Sequence, residues 1–77
     1  MSEADKMFEE LGYYKDFDDI THEYRKEEDE DFFEIDFWLD DKEVSKKSYC
    51  EIGYITMQEL KAIIEKCKEL RWIEWVI

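Results

Sequence analysis

Near the start of the chain, Ala4, Met7, Phe8 and Leu11 fall at i, i+3, i+4 and i+7, the spacing of one apolar stripe on a helix. Ser2 precedes the stripe as an N-cap, and Asp5 stands three residues later as a weak capping-box partner. Gly12 follows where a left-handed residue ends a helix, with Tyr13 as the usual apolar contact. A first helix is therefore predicted over residues 3–11. The period then changes to two. Tyr13–Phe17 begins an extended segment, Asp18-Asp19 makes a turn, and Ile20, His22 and Tyr24 alternate with Thr21, Glu23 and Arg25. Residues 27–31, EEDED, make a poor strand and are expected to be a connection. Phe33, Ile35, Phe37 and Leu39 define one face of the next strand, and Phe32, Glu34, Asp36 and Trp38 the other. Asp40-Asp41-Lys42 closes a hairpin into Glu43–Tyr49, where Val44 is the one clear inward residue.

The second helix is the clearest element. Thr56 and Glu59 form the capping box T-x-x-E, and Ile55 and Leu60 are placed for a hydrophobic staple. Met57, Leu60, Ile63, Ile64, Cys67 and Leu70 form the stripe predicted to be buried, with Lys61, Glu65, Lys66, Lys68 and Glu69 toward water. The pattern as a whole predicts an α+β fold in the order α-β-β-β-α: a small antiparallel three-stranded sheet with both helices on one face, and a fourth, C-terminal strand left open by the WIEWVI segment. Trp72, Trp75 and Val76 of that segment either complete the core or form an exposed apolar tail.

The chain is 77 residues long, enough for one domain with a thin core. Five Phe, five Tyr and three Trp supply large buried area on few rotatable bonds, and the absence of proline argues against a linker or disordered tail. The net charge of −12 is concentrated in the middle. Residues 16–43 hold 14 acidic side chains against Arg25, Lys26 and Lys42. Such a chain is not expected to bind a phosphate backbone, nor an anionic membrane surface, whereas a basic partner suits it. No apolar run has the length of a membrane span, and the acidic, polar start does not look like a signal peptide. Cys50 and Cys67 do not form a zinc or redox motif and read as free thiols, with Cys67 on the apolar side of its helix.

The segments ADKMFEELGYYK, KEVSK and GYITMQELKAIIEKCKELRW resemble a family of small uncharacterised proteins carried by phages and mobile elements of Firmicutes. That family has A-D-x-M-F-E-E-L-G-Y near its start, and Y-I-T-M-Q-E-L-x-A-I and E-L-G-W near its end. The likeness covers about half the chain, at its two ends, and its motifs are the capped helices. The sequence departs at Arg71, where the pattern has glycine, and so allows a longer second helix. The resemblance implies a phage or mobile-element origin and a setting in the cytoplasm of a bacterial host. It supplies no catalytic residues.

Enzyme chemistry finds little support. An EF-hand starting at Asp29 fails, because Phe33 takes the fifth position, no glycine follows and Asp40 takes the last. A cation site among Glu27–Asp31 would be non-specific. His22 is the only histidine, has no identifiable partner and reads as a strand-borne surface residue. No glycine-rich phosphate loop is present. No enzyme activity, cofactor or metal is expected.

The acidic middle remains. On a strand, alternate residues lie roughly 6.6–6.8 Å apart on one face. Glu34 and Asp36, with Asp40, Asp41 and the run Glu27, Glu28, Asp29, Glu30 and Asp31 at the strand ends, then space carboxylates in a manner comparable to backbone phosphates. Trp38 and Phe32 flank them as desolvated anchors. Two functions are expected from different classes. The first is a non-enzymatic inhibitor whose acidic surface occupies the nucleic-acid-binding site of a host protein, such as a CRISPR effector. The second is an accessory or assembly protein that forms a homodimer or meets another phage protein through its C-terminal aromatic segment. The bland alternative is a charged surface that only keeps a small protein soluble.

Overall fold

A computed structural model describes residues 2–49 and 54–73. The elements are α1 (Glu3–Glu10), β1 (Tyr14–Phe17), β2 (Thr21–Glu28), β3 (Asp31–Trp38), β4 (Glu43–Ser48) and α2 (Met57–Glu69). The strands form one antiparallel sheet in the order β1-β2-β3-β4, giving the α+β architecture read from the pattern. The sheet has four strands, the additional one being β1 near the N-terminus. A strand in the C-terminal segment would fall mainly on residues 74–77, outside the described residues. Residues 27 and 28 extend β2, so the EEDED run is largely strand, and its connection shrinks to Asp29-Glu30. Asp29 takes a left-handed backbone (φ 55°), which Asp tolerates better than most residues.

Alternation places Tyr24, Ile35 and Phe37 on one side of the sheet, where they pack with Phe8 of α1 and Ala62 and Ile63 of α2 in a single core. The Phe8 ring stacks on Tyr24 at 3.9 Å and meets Phe37 edge-on at 6.1 Å. Trp72 also packs against this core, tilted over Phe37, while Trp75 and Val76 lie outside the described residues.

Both helices end in the same motif. After α1, Gly12 N–H donates to Glu9 O and Tyr13 N–H to Phe8 O, with Gly12 at φ 93°. After α2, Arg71 N–H donates to Lys68 O and Trp72 N–H to Cys67 O, with Arg71 at φ 61°. These are Schellman caps. The helix does not run on past Arg71 as the missing glycine allows: the cap bonds and the burial of Trp72 hold an arginine in the left-handed region instead.

The buried face of α2 differs from the predicted stripe. Glu59, Ala62, Ile63 and Lys66 are buried, while Met57 and Leu60 are exposed, as is Ile55. The polar pairs decide the rotation. Glu59 accepts a hydrogen bond from the Tyr13 hydroxyl and pairs with Lys46 Nζ at 2.8 Å, while its capping bonds with Thr56 are kept. Lys66, only 1% exposed, lays its ammonium near the Phe17 and Tyr24 rings and pairs with Glu69 at 2.8 Å. At the other helix, Ser2 caps α1 by accepting from Asp5 N–H, but the Asp5 carboxylate is drawn to Tyr24 Oη (2.7 Å) and Lys15 Nζ (3.2 Å).

Candidate functional site

The side of the sheet opposite the core is acidic. Register sets Asp16 of β1 beside Glu23 of β2, Glu23 beside Asp36 of β3, and Arg25 beside Glu34. A depression of about 150 Å³ lies over these residues, lined also by Asp18, Thr21, Trp38 and Lys47. Carboxylate oxygens from Glu23, Glu34 and Asp36 come within 4.8 Å of one another. Arg25 Nη1 stands 3.2 Å from Glu34 and 3.8 Å from Glu23, with its guanidinium over the Phe32 ring. Asp36 is only 2% exposed, and its Oδ1 is buried with no hydrogen-bond donor among the described residues. Burial, then the adjacent Asp36, pushes the Glu23 carboxyl above the usual carboxylate range. Burial lifts Asp36 as well, with Glu34 adding to the effect against the opposing Glu23, Lys47 and Arg25.

The acidic residues singled out in the sequence do not act as one patch. Glu27, Glu28, Asp29 and Glu30 are exposed at the β2–β3 hairpin tip. Asp31 is half-buried, and its Oδ1 accepts from Phe32 N–H and from Tyr49 N–H across the sheet, so it ties down the end of β4. Glu34 is paired with Arg25, and Asp36 is buried. Trp38 lies on the acidic side as expected, half-buried, with its indole N–H donating to Ser45 Oγ at 3.0 Å. Phe32 and the exposed Tyr14 share that side, and Tyr14 Oη reaches Glu27 at 3.4 Å. Tyr14 and Asp16 were missed as members of this face because β1 was not counted as a strand, although the alternation from Tyr14 to Phe17 carried the signal.

Several cations of the chain are engaged within the fold. Lys46 is paired with Glu59 and Lys66 with Glu69, both lysines being nearly enclosed, and Lys15 holds Asp5. Burial works against the charged form of Glu59, but Lys46, Tyr13 and the Thr56 amide outweigh it and hold the carboxyl below its ordinary value. His22 is on the core-facing side of β2, stacked on Phe17 at 4.0 Å, and burial lowers its pKa. It is a packing residue of the sheet rather than a surface histidine. Cys67 packs against the core, where burial raises its thiol pKa, the reverse of what activates a cysteine. Cys50 lies outside the described residues. No helix among the described residues is long and apolar enough to cross a membrane.

No protein-family model, no curated protein and no solved structure matches the chain. The functional reading therefore rests on this geometry.

Proposed function

We propose that the chain is a non-enzymatic protein of phage or mobile-element origin that binds and inhibits a nucleic-acid-binding protein of its bacterial host, acting in the cytoplasm through an acidic, DNA-mimic-like surface. A defence nuclease such as a CRISPR effector is the natural target class, because its function depends on a cleft lined with Lys and Arg. The observation that carries the reading is the hairpin tip. Glu27, Glu28, Asp29 and Glu30 are all exposed at the tip, Glu28 within 3.9 Å of Lys26, and Glu27 adjoins the acid-rich sheet side, while Lys15, Lys46 and Lys66 are engaged by Asp5, Glu59 and Glu69. A basic cleft is attracted to such a projection for the reason it is attracted to phosphates. Tyr14, Phe32 and Trp38 on the adjoining face supply the apolar contact that charge alone lacks. Asp31 and Asp36 have structural duties in this reading and are not contact residues. Association must weaken steeply with salt, because attraction between exposed charges is screened over about 8–10 Å at ordinary ionic strength.

A second reading, self-association or binding of another phage protein, is supported at a different place from the C-terminal segment. Tyr54, Ile55, Met57 and Leu60 are all exposed around the start of α2. Sedimentation of the wild type beside a Met57→Lys, Leu60→Lys variant tests it. A dimer that dissociates in the variant supports self-association, and a monomer in both removes it.

A further inference from the structure

We infer that Glu23, Glu34 and Asp36 form a binding site for one hard divalent cation such as Ca²⁺. Acidic residues on a surface are common, and their presence alone carries no such conclusion. The decisive feature is Asp36. Its side chain is 98% removed from solvent on the polar side of the sheet, and its Oδ1 has no donor among the described residues. A buried carboxylate oxygen without a partner is costly. Its nearest chemistry is other carboxylate oxygens, which accept and cannot donate unless a proton or a cation lies between them.

The donor set selects the kind of ion, since carboxylate oxygens suit hard divalent cations. The three carboxylate oxygens lie within 4.8 Å of one another, close enough to share one ion such as Ca²⁺, which takes oxygen ligands at roughly 2.3–2.6 Å. Three adjacent strand positions supply them: Glu23 and Asp36 are paired across β2–β3, and Glu34 precedes Asp36 by two residues on the same face. The depression of about 150 Å³ above leaves room for water in the remaining positions. Arg25, 3.2 Å from Glu34, opposes the ion, as does Lys47 at the rim, while Asp16 and Asp18 favour it. Asp18 Oδ1 is already occupied by the Ile20 and Thr21 amides and contributes charge only. The inference concerns the isolated chain and holds whether or not the acidic surface meets a protein partner.

The test is titration of Ca²⁺ into the full chain after chelator treatment, followed by calorimetry, with Tb³⁺ luminescence excited through tryptophan as a second probe; Trp38 lines the site. The expected result is saturation at one ion per chain. Asp36→Asn and Glu34→Gln should each weaken binding by more than about tenfold, the loss that even outer-shell changes cause at metal sites, whereas Glu30→Gln at the hairpin tip leaves it unchanged. Circular dichroism confirms that each variant is folded, and displacement of Tb³⁺ by Ca²⁺ on the wild type needs no variant to fold. Several weak equivalent ions per chain, equal affinity in Asp36→Asn, or no saturable binding would each overturn the site.

Discussion

Glu59 illustrates how much one residue can decide in a chain this small. It caps α2, accepts from Tyr13 and pairs with Lys46, so its carboxylate joins the helix to the chain before β1 and to the edge strand β4. Removing one member of a buried ion pair typically costs about 3–5 kcal/mol, because the other charge is left without compensation. Glu59→Ala should therefore lower the stability from urea unfolding by about that much, a large part of the roughly 4–12 kcal/mol typical for this length. Loss of less than about 1 kcal/mol would show that Lys46 finds water at no cost. The carboxylates also set opposing pH responses. Glu59, Asp5 and Glu69 have folded-state pKa values below their ordinary ones, so their contribution is present above the ordinary carboxylate range and is lost as pH falls through the folded values. Glu23 and Asp36 are shifted upward, so the native state binds more protons than the unfolded chain between the ordinary and raised values, and their effect is to lower stability as pH rises through that interval. In chelator, Asp36→Asn should consequently raise the Tm above that interval more than below it. An equal change on both sides would contradict the upward shift. The capping role of Glu59 is legible in the sequence, but its buried partners and the Glu23–Asp36 contact are not, because a sequence shows carboxylates without showing which of them a fold encloses.

At the scale of elements, local signals were read well where they depend on the backbone and poorly where they depend on distant partners. The caps at Ser2 and Thr56, the stop at Gly12 and the two faces of β3 follow from neighbouring residues, and all appear in the structure. The rotation of α2 does not follow from its own stripe, because Tyr13, Lys46, Phe17 and Tyr24 pull Glu59 and Lys66 inward from other elements. β2 runs through an acidic stretch of poor strand propensity because β3 supplies its partner, a tertiary override of local preference. The two Schellman caps give a matched prediction. Arg71 holds a left-handed backbone that costs a side-chain-bearing residue roughly 1–2 kcal/mol, against which glycine carries its own entropic cost. Arg71→Gly should stabilise the fold by up to about 1 kcal/mol. Gly12→Ala should destabilise it by about 1–2 kcal/mol, since the added methyl also meets Lys26 Cδ at 3.2 Å. Denaturant midpoints with unchanged slope check both, and shifts of the reverse sign would contradict the cap assignment.

Across the whole molecule, charge is separated by role. Carboxylates under or between the helices meet lysines and tyrosines and hold the fold together, those on the open side of the sheet surround Arg25 and a shared depression, and those at the β2–β3 tip face water. The concentration of acid in the middle third was visible in the sequence, but the division between structural and projecting carboxylates required the register of the sheet. That division also selects the variant for the central claim: Glu27→Gln, Glu28→Gln, Asp29→Asn and Glu30→Gln together remove the projecting charge, leave Asp31, Glu34 and Asp36 in place, and keep a residue at position 29 that accepts a left-handed backbone. The most direct measurement is retention of bacterial lysate proteins on the immobilised wild type and on this variant, with circular dichroism confirming that both are folded, and elution by salt and by duplex DNA. Nucleic-acid-binding proteins should be held by the wild type, released by either salt or DNA, and not held by the variant. Proteins held equally by both, or indifferent to DNA and salt, or no protein held at all, would contradict that claim.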